Sequence, residues 1–245
     1  MQKINKPISK IDVVIPFYNE NSNLKIFIPS LIKVLKSIKK RKFRVIFVDD
    51  GSTDNGALIV KKFLKKKNKN IETFILNNKI NEGQTSSYKK YFEKFKSSFF
   101  LRIDSDNQDN PKDIVNLLNK FDGTQDMILT HRMRRKHDSF LIIQGKLYSF
   151  LSSLITGIKI TTFTSSLVLY RTKFFNYKKL KFNDHRYLPL LACLNGAKNI
   201  NVIPVKHNKR KYGTSKYKVS NKILLGPFEF LFFLLRYYFG FLNGK

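Results

Sequence analysis

Between residues 11 and 132, short apolar runs alternate with longer stretches in which apolar residues recur every three or four positions. The runs IDVVIPF (11–17), RVIFVDD (44–50), IETFIL (71–76), SFFLRID (98–104) and DMILTHR (126–132) are short and rich in β-branched or aromatic residues, so each predicts a strand. Residues 24–38, 55–67, 84–97 and 111–120 predict helices, the first despite Pro29 and the last with Pro111 at a favourable first position. Strands and helices in strict alternation imply βαβ units, hence an α/β fold with a mainly parallel sheet flanked by helices. The apolar strands fit a sheet covered on both faces. Beyond residue 139 the pattern is less regular. It predicts a helix near 140–156, a strand near 165–171, a helix near 184–195, a strand over 199–207 and a basic polar loop over 208–221.

The last segment differs in kind. From Pro227 to Leu242 the chain reads PFEFLFFLLRYYFGFL, with Glu229 and Arg236 seven residues apart and in step with Lys222 and Asn243. These four share one narrow polar face of a C-terminal apolar amphipathic helix. Sixteen residues make roughly 24 Å of helix, short for a membrane span. The expected arrangement is a catalytic domain over 1–221 and a membrane-associating helix over 222–245, lying in the membrane plane or shallowly re-entrant. A buried core helix or an oligomer contact is the competing reading. Residues 1–11 hold no apolar leader run, so the catalytic part is expected to stay on the cytoplasmic side.

Composition narrows the class. With 23 Phe, 11 Tyr and 42% hydrophobic residues over 245 positions, the chain is too apolar for disorder and long enough for a sizeable core. Its single cysteine, Cys193, excludes an internal disulfide and is expected to be a small buried hydrophobe. The net charge of +30, from 47 Lys and Arg against 17 Asp and Glu, attracts polyanions such as phosphorylated ligands, anionic membranes or nucleic acid. Crowding by Lys, Asn, Ile and Phe, with no Trp, also matches an AT-rich coding bias, so charge alone does not name the partner.

Acidic residues are scarce, which makes their placement informative. Asp49, Asp50 and Asp54 crowd one strand end; Asp104, Asp106 and Asp109 crowd another. Ligands of open α/β sheets bind at those ends. Asp104-Ser105-Asp106 can offer carboxylate oxygens to a hard cation such as Mg²⁺ or Mn²⁺ that also holds substrate phosphates. A glycine-rich phosphate loop, a zinc-type His/Cys cluster and a G-x-S-x-G elbow are all absent from the sequence.

The segments VVIPFYNE (13–20), VDDGSTD (48–54), NEGQ (81–84), RIDSDNQDNP (102–111) and RKYGTSKY (210–217) occur in this order. Together they resemble the family 2 glycosyltransferases of GT-A, Rossmann-like fold. The late R-x-x-G-x-S-K-Y loop is similar to that of the polyprenyl-phosphate subgroup typified by dolichol-phosphate mannose synthase. The resemblance implies that Pro16, Tyr18, Glu20, Val48 and Asp50 line a nucleotide pocket, with Asp50 at the base. It implies that Asp104, Ser105 and Asp106 hold the diphosphate and Asp104, Asp106 and Gln108 the metal, while Arg210 and Lys216 close over the diphosphate. Asp106 then joins a catalytic set with Arg132, Arg135 and Arg186, whose segments HRMRRKHDS (131–139) and DHRYLP (184–189) resemble acceptor-side segments of the subgroup.

The acceptor follows from chemistry. A sugar hydroxyl needs a general base, and relatives that build polysaccharides carry one in a Glu-Asp pair with a Q-x-x-R-W motif; neither is present. A lipid phosphate is already mostly ionised at pH 7 and needs only positive charge to position it. Where dolichol-type relatives often show Asp-x-Thr-Gly-x-Phe-Arg, this chain has Thr162 to Val168 without that Asp or Arg, leaving Asp138 or Asp184 as local carboxylates. The resulting expectation is a Mg²⁺- or Mn²⁺-dependent inverting hexosyltransferase. It would use GDP- or UDP-hexose and a dolichyl- or undecaprenyl-type phosphate at the cytoplasmic membrane face, bind no nucleic acid, and lean on a membrane-protein partner or a second copy for anchoring. Its rivals are a transferase acting on a sugar hydroxyl of a cell-surface glycan and a non-catalytic basic protein that binds nucleic acid or anionic lipid.

Overall fold

The computed structural model describes residues 10–65, 68–133, 139–159, 162, 165–181, 183–206, 208 and 219–239. The first half alternates as its pattern dictates: β1 (Lys10–Phe17), α1 (Asn21–Ser37), β2 (Lys42–Asp49), α2 (Gly56–Leu64), β3 (Ile71–Asn77), α3 (Gln84–Lys94), β4 (Phe99–Arg102), α4 (Asp113–Asn119) and β5 (Met127–Met133). The second half adds α5 (Ser139–Thr156), β6 (Val168–Arg171), α6 (Leu188–Leu194), β7 (Ile200–Lys206) and α7 (Val219–Tyr238), with three short 3₁₀ turns between β6 and α6.

The strands form one seven-stranded sheet in the order β3-β2-β1-β4-β6-β5-β7. All neighbours run parallel except β6, which is antiparallel to both β4 and β5. Side chains alternate across each strand, so the two faces carry separate cores. Ile11, Val13 and Ile15 of β1 meet Phe27 and Leu31 of α1, Val60 of α2 and Leu117 of α4. Val14 and Val48 face the other way, toward α3, α6 and α7. Burying each such side chain contributes about 1.5–3 kcal/mol, and it explains why the strands read as continuous apolar runs.

The second core is built from rings. Phe100 of β4 stacks on Tyr170 of β6 at 5.0 Å and meets Phe92 of α3 edge-on at 5.1 Å. A buried ion pair lies beside this packing. Asp12, fully buried, takes two bonds from Arg44 at 2.9 and 2.7 Å and one from the Tyr91 hydroxyl at 2.9 Å. Bidentate pairing with a third donor is what makes a buried carboxylate tolerable. Cys193 is buried as expected, and burial pushes its thiol up to about 12.

The end of the chain departs from its expected form. α7 begins at Val219 and carries Pro227 inside it, so the boundary placed after residue 221 falls within one helix. Glu229 and Arg236 do share a face, but it turns toward the protein, where Arg236 pairs with Asp184 and Glu229 with Arg186. Phe230 and Phe233 join the second core, Phe233 against Tyr187 at 4.6 Å. Among the described residues no helix is long and apolar enough to cross a membrane.

Candidate active site

Because β2, β1 and β4 are adjacent and parallel, their carboxyl ends bring the loops at 18–21, 50–55 and 103–110 together, and the β3 loop at 78–83 flanks them. These are the loops that hold the acidic clusters.

Hydrogen bonds from distant loops fix the first cluster. Asp50, almost fully buried, accepts from the Asn78 amide at 2.8 Å, from Glu82 N–H at 3.1 Å and from Gly83 N–H at 2.8 Å. It anchors the 78–83 loop. Asp49 accepts from Ser52 N–H at 2.8 Å, and Asp54 from Asn21 N–H at 2.9 Å and Gly56 N–H at 2.8 Å. Asn19, at a φ of 52°, receives Thr53 N–H at 2.8 Å and closes the β1 loop onto the β2 loop. Gly51 makes the crossing with the β3 loop possible: its φ is +74°, and a Cβ there would lie 2.4 Å from the carbonyl carbon of Ile80. Pro16 and Val48 lie side by side in register, both buried; Tyr18 is half-buried and Glu20 buried at the entry to α1.

The second cluster is more open. Along 104–109 burial alternates residue by residue: Ser105, Asn107 and Asp109 point inward, while Asp104, Asp106 and Gln108 share the accessible side. The inward residues lock the loop. Asn107, at a φ of 61°, donates to the Asn23 carbonyl at 3.1 Å. Asp106 accepts from Gln108 N–H at 3.0 Å, a local turn that fixes its carboxylate. Asp104 accepts from the Gln84 amide at 3.0 Å, with the buried Arg102 guanidinium 3.7 Å away. Gln84 and Arg102 lie inside the motifs quoted above, but their support of Asp104 depends on a fold that brings α3 beneath the β4 end. Two accessible carboxylates and an amide, all hard oxygen donors on one side of a braced loop, fit a Mg²⁺ or Mn²⁺ ion that takes its remaining ligands from substrate phosphate and water. Asp104, Asp106 and Gln108 would hold it.

The cationic residues divide. Arg132, at the end of β5, lies 3.6 Å from Asp109 and donates to Ser166, whose hydroxyl in turn donates to Asp109. The segment at 162–168 that departs from the family pattern thus supplies a hydroxyl that orients Arg132. Arg186 is bound to Glu229 of α7, so the structure sets it in a clasp between the 183–186 turn and that helix. Arg135, Arg210, Lys216 and Asp138 lie outside the described residues. Asn208 N–H donates to the Gln108 carbonyl at 2.9 Å.

His185 ties the 183–186 turn to α3 and to the end of β4. Its Nδ1 lies 3.0 Å from the Thr85 hydroxyl, and its carbonyl accepts from Arg102 at 2.7 Å. Burial, with Arg102 and Arg186 nearby, holds its imidazole well below the usual range and hence neutral. Burial raises Asp184, against the pull of Lys181 N–H and Arg236. Nearly buried and bonded to α7, Asp184 is not positioned as an open base.

Comparison with known proteins agrees with this geometry. The family model described as Glycosyl transferase family 2 matches residues 12–178. Among solved structures, glucosyl-3-phosphoglycerate synthase from Mycobacterium tuberculosis, in complex with Mn²⁺, uridine diphosphate and glucosyl-3-phosphoglycerate, aligns with a TM-score of 0.59 at 14% identity, over 84% of this chain and 73% of that one. S. aureus TarS 1–349 in complex with UDP-GlcNAc aligns with a TM-score of 0.56 at 21% identity, over 87% of this chain and 63% of that one. At these identities the two neighbours show a shared fold.

Proposed function

The chain belongs to glycosyl transferase family 2, and from that membership we propose that it moves one hexose from a nucleotide-diphosphate sugar to a polyprenyl phosphate at the cytoplasmic membrane face. The observation that carries the reading is the accessible row of Asp104, Asp106 and Gln108, with Arg132 at the end of β5 held to Asp109 of the same loop and Asn208 bonded to the Gln108 carbonyl. The M. tuberculosis neighbour bound Mn²⁺ with uridine diphosphate, which supports a divalent ion and a nucleotide donor here.

In the proposed reaction the nucleotide rests between the β1 and β2 loops, with Pro16, Tyr18, Glu20, Val48 and Asp50 around it. Asp104 and Asp106 face its diphosphate. A divalent cation bound there offsets the charge that develops on the leaving group. An oxygen of the acceptor phosphate forms the new bond to the anomeric carbon as the bond to the nucleoside diphosphate breaks, with inversion. No proton has to move, because the acceptor is already ionised. Arg132, fixed by Asp109 and Ser166, supplies a guanidinium fork suited to a phosphate. Arg135, Arg210 and Lys216 would add positive charge on the acceptor and donor sides. Engagement of Asp184 by Arg236 supports a phosphate acceptor, since it removes one of the two carboxylates considered for base work.

A hydroxyl acceptor is the second reading. It is favoured by the M. tuberculosis neighbour, which was crystallised with glucosyl-3-phosphoglycerate. The test is transfer of label from a panel of nucleotide sugars, with Mn²⁺ or Mg²⁺, into organic-extractable polyprenyl phosphate. Labelled lipid from one donor is the expected result. Transfer only to a hydroxyl-bearing glycan or phosphorylated acid would replace this reading with the second.

A further inference from the structure

The outer helices of the second half carry apolar side chains on their outer as well as their inner sides. On α5, Ser149 and Ser152 are buried, whereas Ile143, Leu147, Phe150 and Leu154 are 55–71% exposed. Spacings of four, three and four residues put those four side chains in one stripe. α7 repeats the pattern. Glu229 and Arg236 bond to the protein, while Phe228, Leu231, Phe232 and Leu235, with Phe239 just past the helix end, stand 43–72% exposed. A helix that faces water places serine and charge outward and phenylalanine inward. The two helices pack together, with the Tyr148 and Phe230 rings 4.9 Å apart, so the stripes belong to neighbouring surfaces.

We infer that the exposed stripes of α5 and α7 form one docking face that lies flat on an anionic lipid bilayer. Its inward polar residues clasp the catalytic domain while its apolar side chains enter the acyl boundary. Charge selects this occupant. Lys146 and Lys159 are exposed on and just after α5, and Lys178 and Lys179 in the segment between β6 and α6. The whole chain carries +30, so a second copy meets like-charge repulsion where an anionic surface meets attraction. Flat docking also follows from the packing. Phe230 and Phe233 bury one side of α7 in the core, so that helix cannot leave the domain to cross the membrane. The inference goes beyond the acceptor proposed above, because the face is present whether the sugar goes to a phosphate or to a hydroxyl.

The experiment is flotation of the full chain with phosphatidylcholine vesicles, with and without phosphatidylglycerol. Two variants accompany it: Leu147→Ser with Phe150→Ser and Leu154→Ser on α5, and Phe228→Ser with Phe232→Ser on α7. All five positions are exposed, so nucleotide-sugar binding should persist and report intact folding. The expected result is flotation with the anionic vesicles, weakened by salt, and a partition lowered at least about tenfold by either variant. The inference is overturned if the unmodified chain does not float, or if both variants float as well as it does. It is equally overturned if the chain is a dimer in solution that these substitutions dissociate, which would make the face a contact between copies. A chain that floats yet labels no lipid phosphate would leave the docking face standing and remove only the acceptor reading.

Discussion

At the carboxyl ends of β1, β2 and β4, polar side chains gather around a space left open to solvent; on α7 they turn away from solvent and into the protein. Both are charged features in an otherwise apolar setting. In the first, the buried members brace loops so that Asp104, Asp106 and Gln108 are presented outward. In the second, Glu229 and Arg236 meet their opposites on the 183–186 turn and leave phenylalanine and leucine outside. Charge at a strand end is left accessible, whereas charge on this helix is paired for attachment. The sign of a residue therefore says little until its partners are known.

The sharpest way to break that contrast is at the open cluster. Asp106→Ala should lower sugar transfer about 10²–10³-fold, as loss of one group that stabilises transition-state charge does. Initial rates at saturating metal check it, and unaltered turnover would remove the site from the reaction. Next in size is the helix clasp. Arg236→Ala leaves Asp184 nearly buried without its cation and should cost about 3 kcal/mol in denaturant unfolding. Asp184→Asn with Arg236→Met should recover much of that loss. A cost below about 0.5 kcal/mol would mean that the pair behaves as a surface bridge.

Gly51→Ala tests the loop crossing. A positive φ and a clash with the Ile80 backbone should cost about 2 kcal/mol. Nucleotide-sugar affinity, measured by titration, should fall with it, because Asp50 ties the same loop. The smallest effect is with pH. His185 is held neutral by burial beside Arg102 and Arg186, so its folded pKa lies below the unfolded value of about 6.5. Below that value the unfolded chain binds the extra proton, so stability is full above pH about 6.5 and declines as pH falls toward the lowered folded value. About 1 kcal/mol should be lost between pH about 7.5 and about 5.5, and His185→Gln should flatten the slope. Asp184, raised by burial, acts with the opposite sign from the ordinary carboxylate range upward.

These regions also differ in how readable they were. The first half was legible because strand and helix periods are local: each of β1 to β5 formed where its apolar run lies, within a residue or two. Strand direction is not local. The reversed course of β6 depends on how the chain returns after α5, and no period records that. At the site, the acidic positions were legible because acids are rare in this chain. What they hold was not, since Asp50 takes its donors from Asn78, Glu82 and Gly83 and Asp104 from Gln84, residues brought close only by the sheet order. On α7 the seven-residue spacing revealed a polar face, yet which way it turned depended on Asp184 and Arg186, more than forty positions away.

Calorimetric titration of the unmodified chain with UDP- and GDP-hexoses, first with Mn²⁺ and then with excess chelator, tests the assignment of the open cluster most directly. The account predicts saturable binding of one donor that weakens at least about tenfold when the metal is removed. Equal affinity in chelator, or no binding of any nucleotide sugar with metal present, would contradict it.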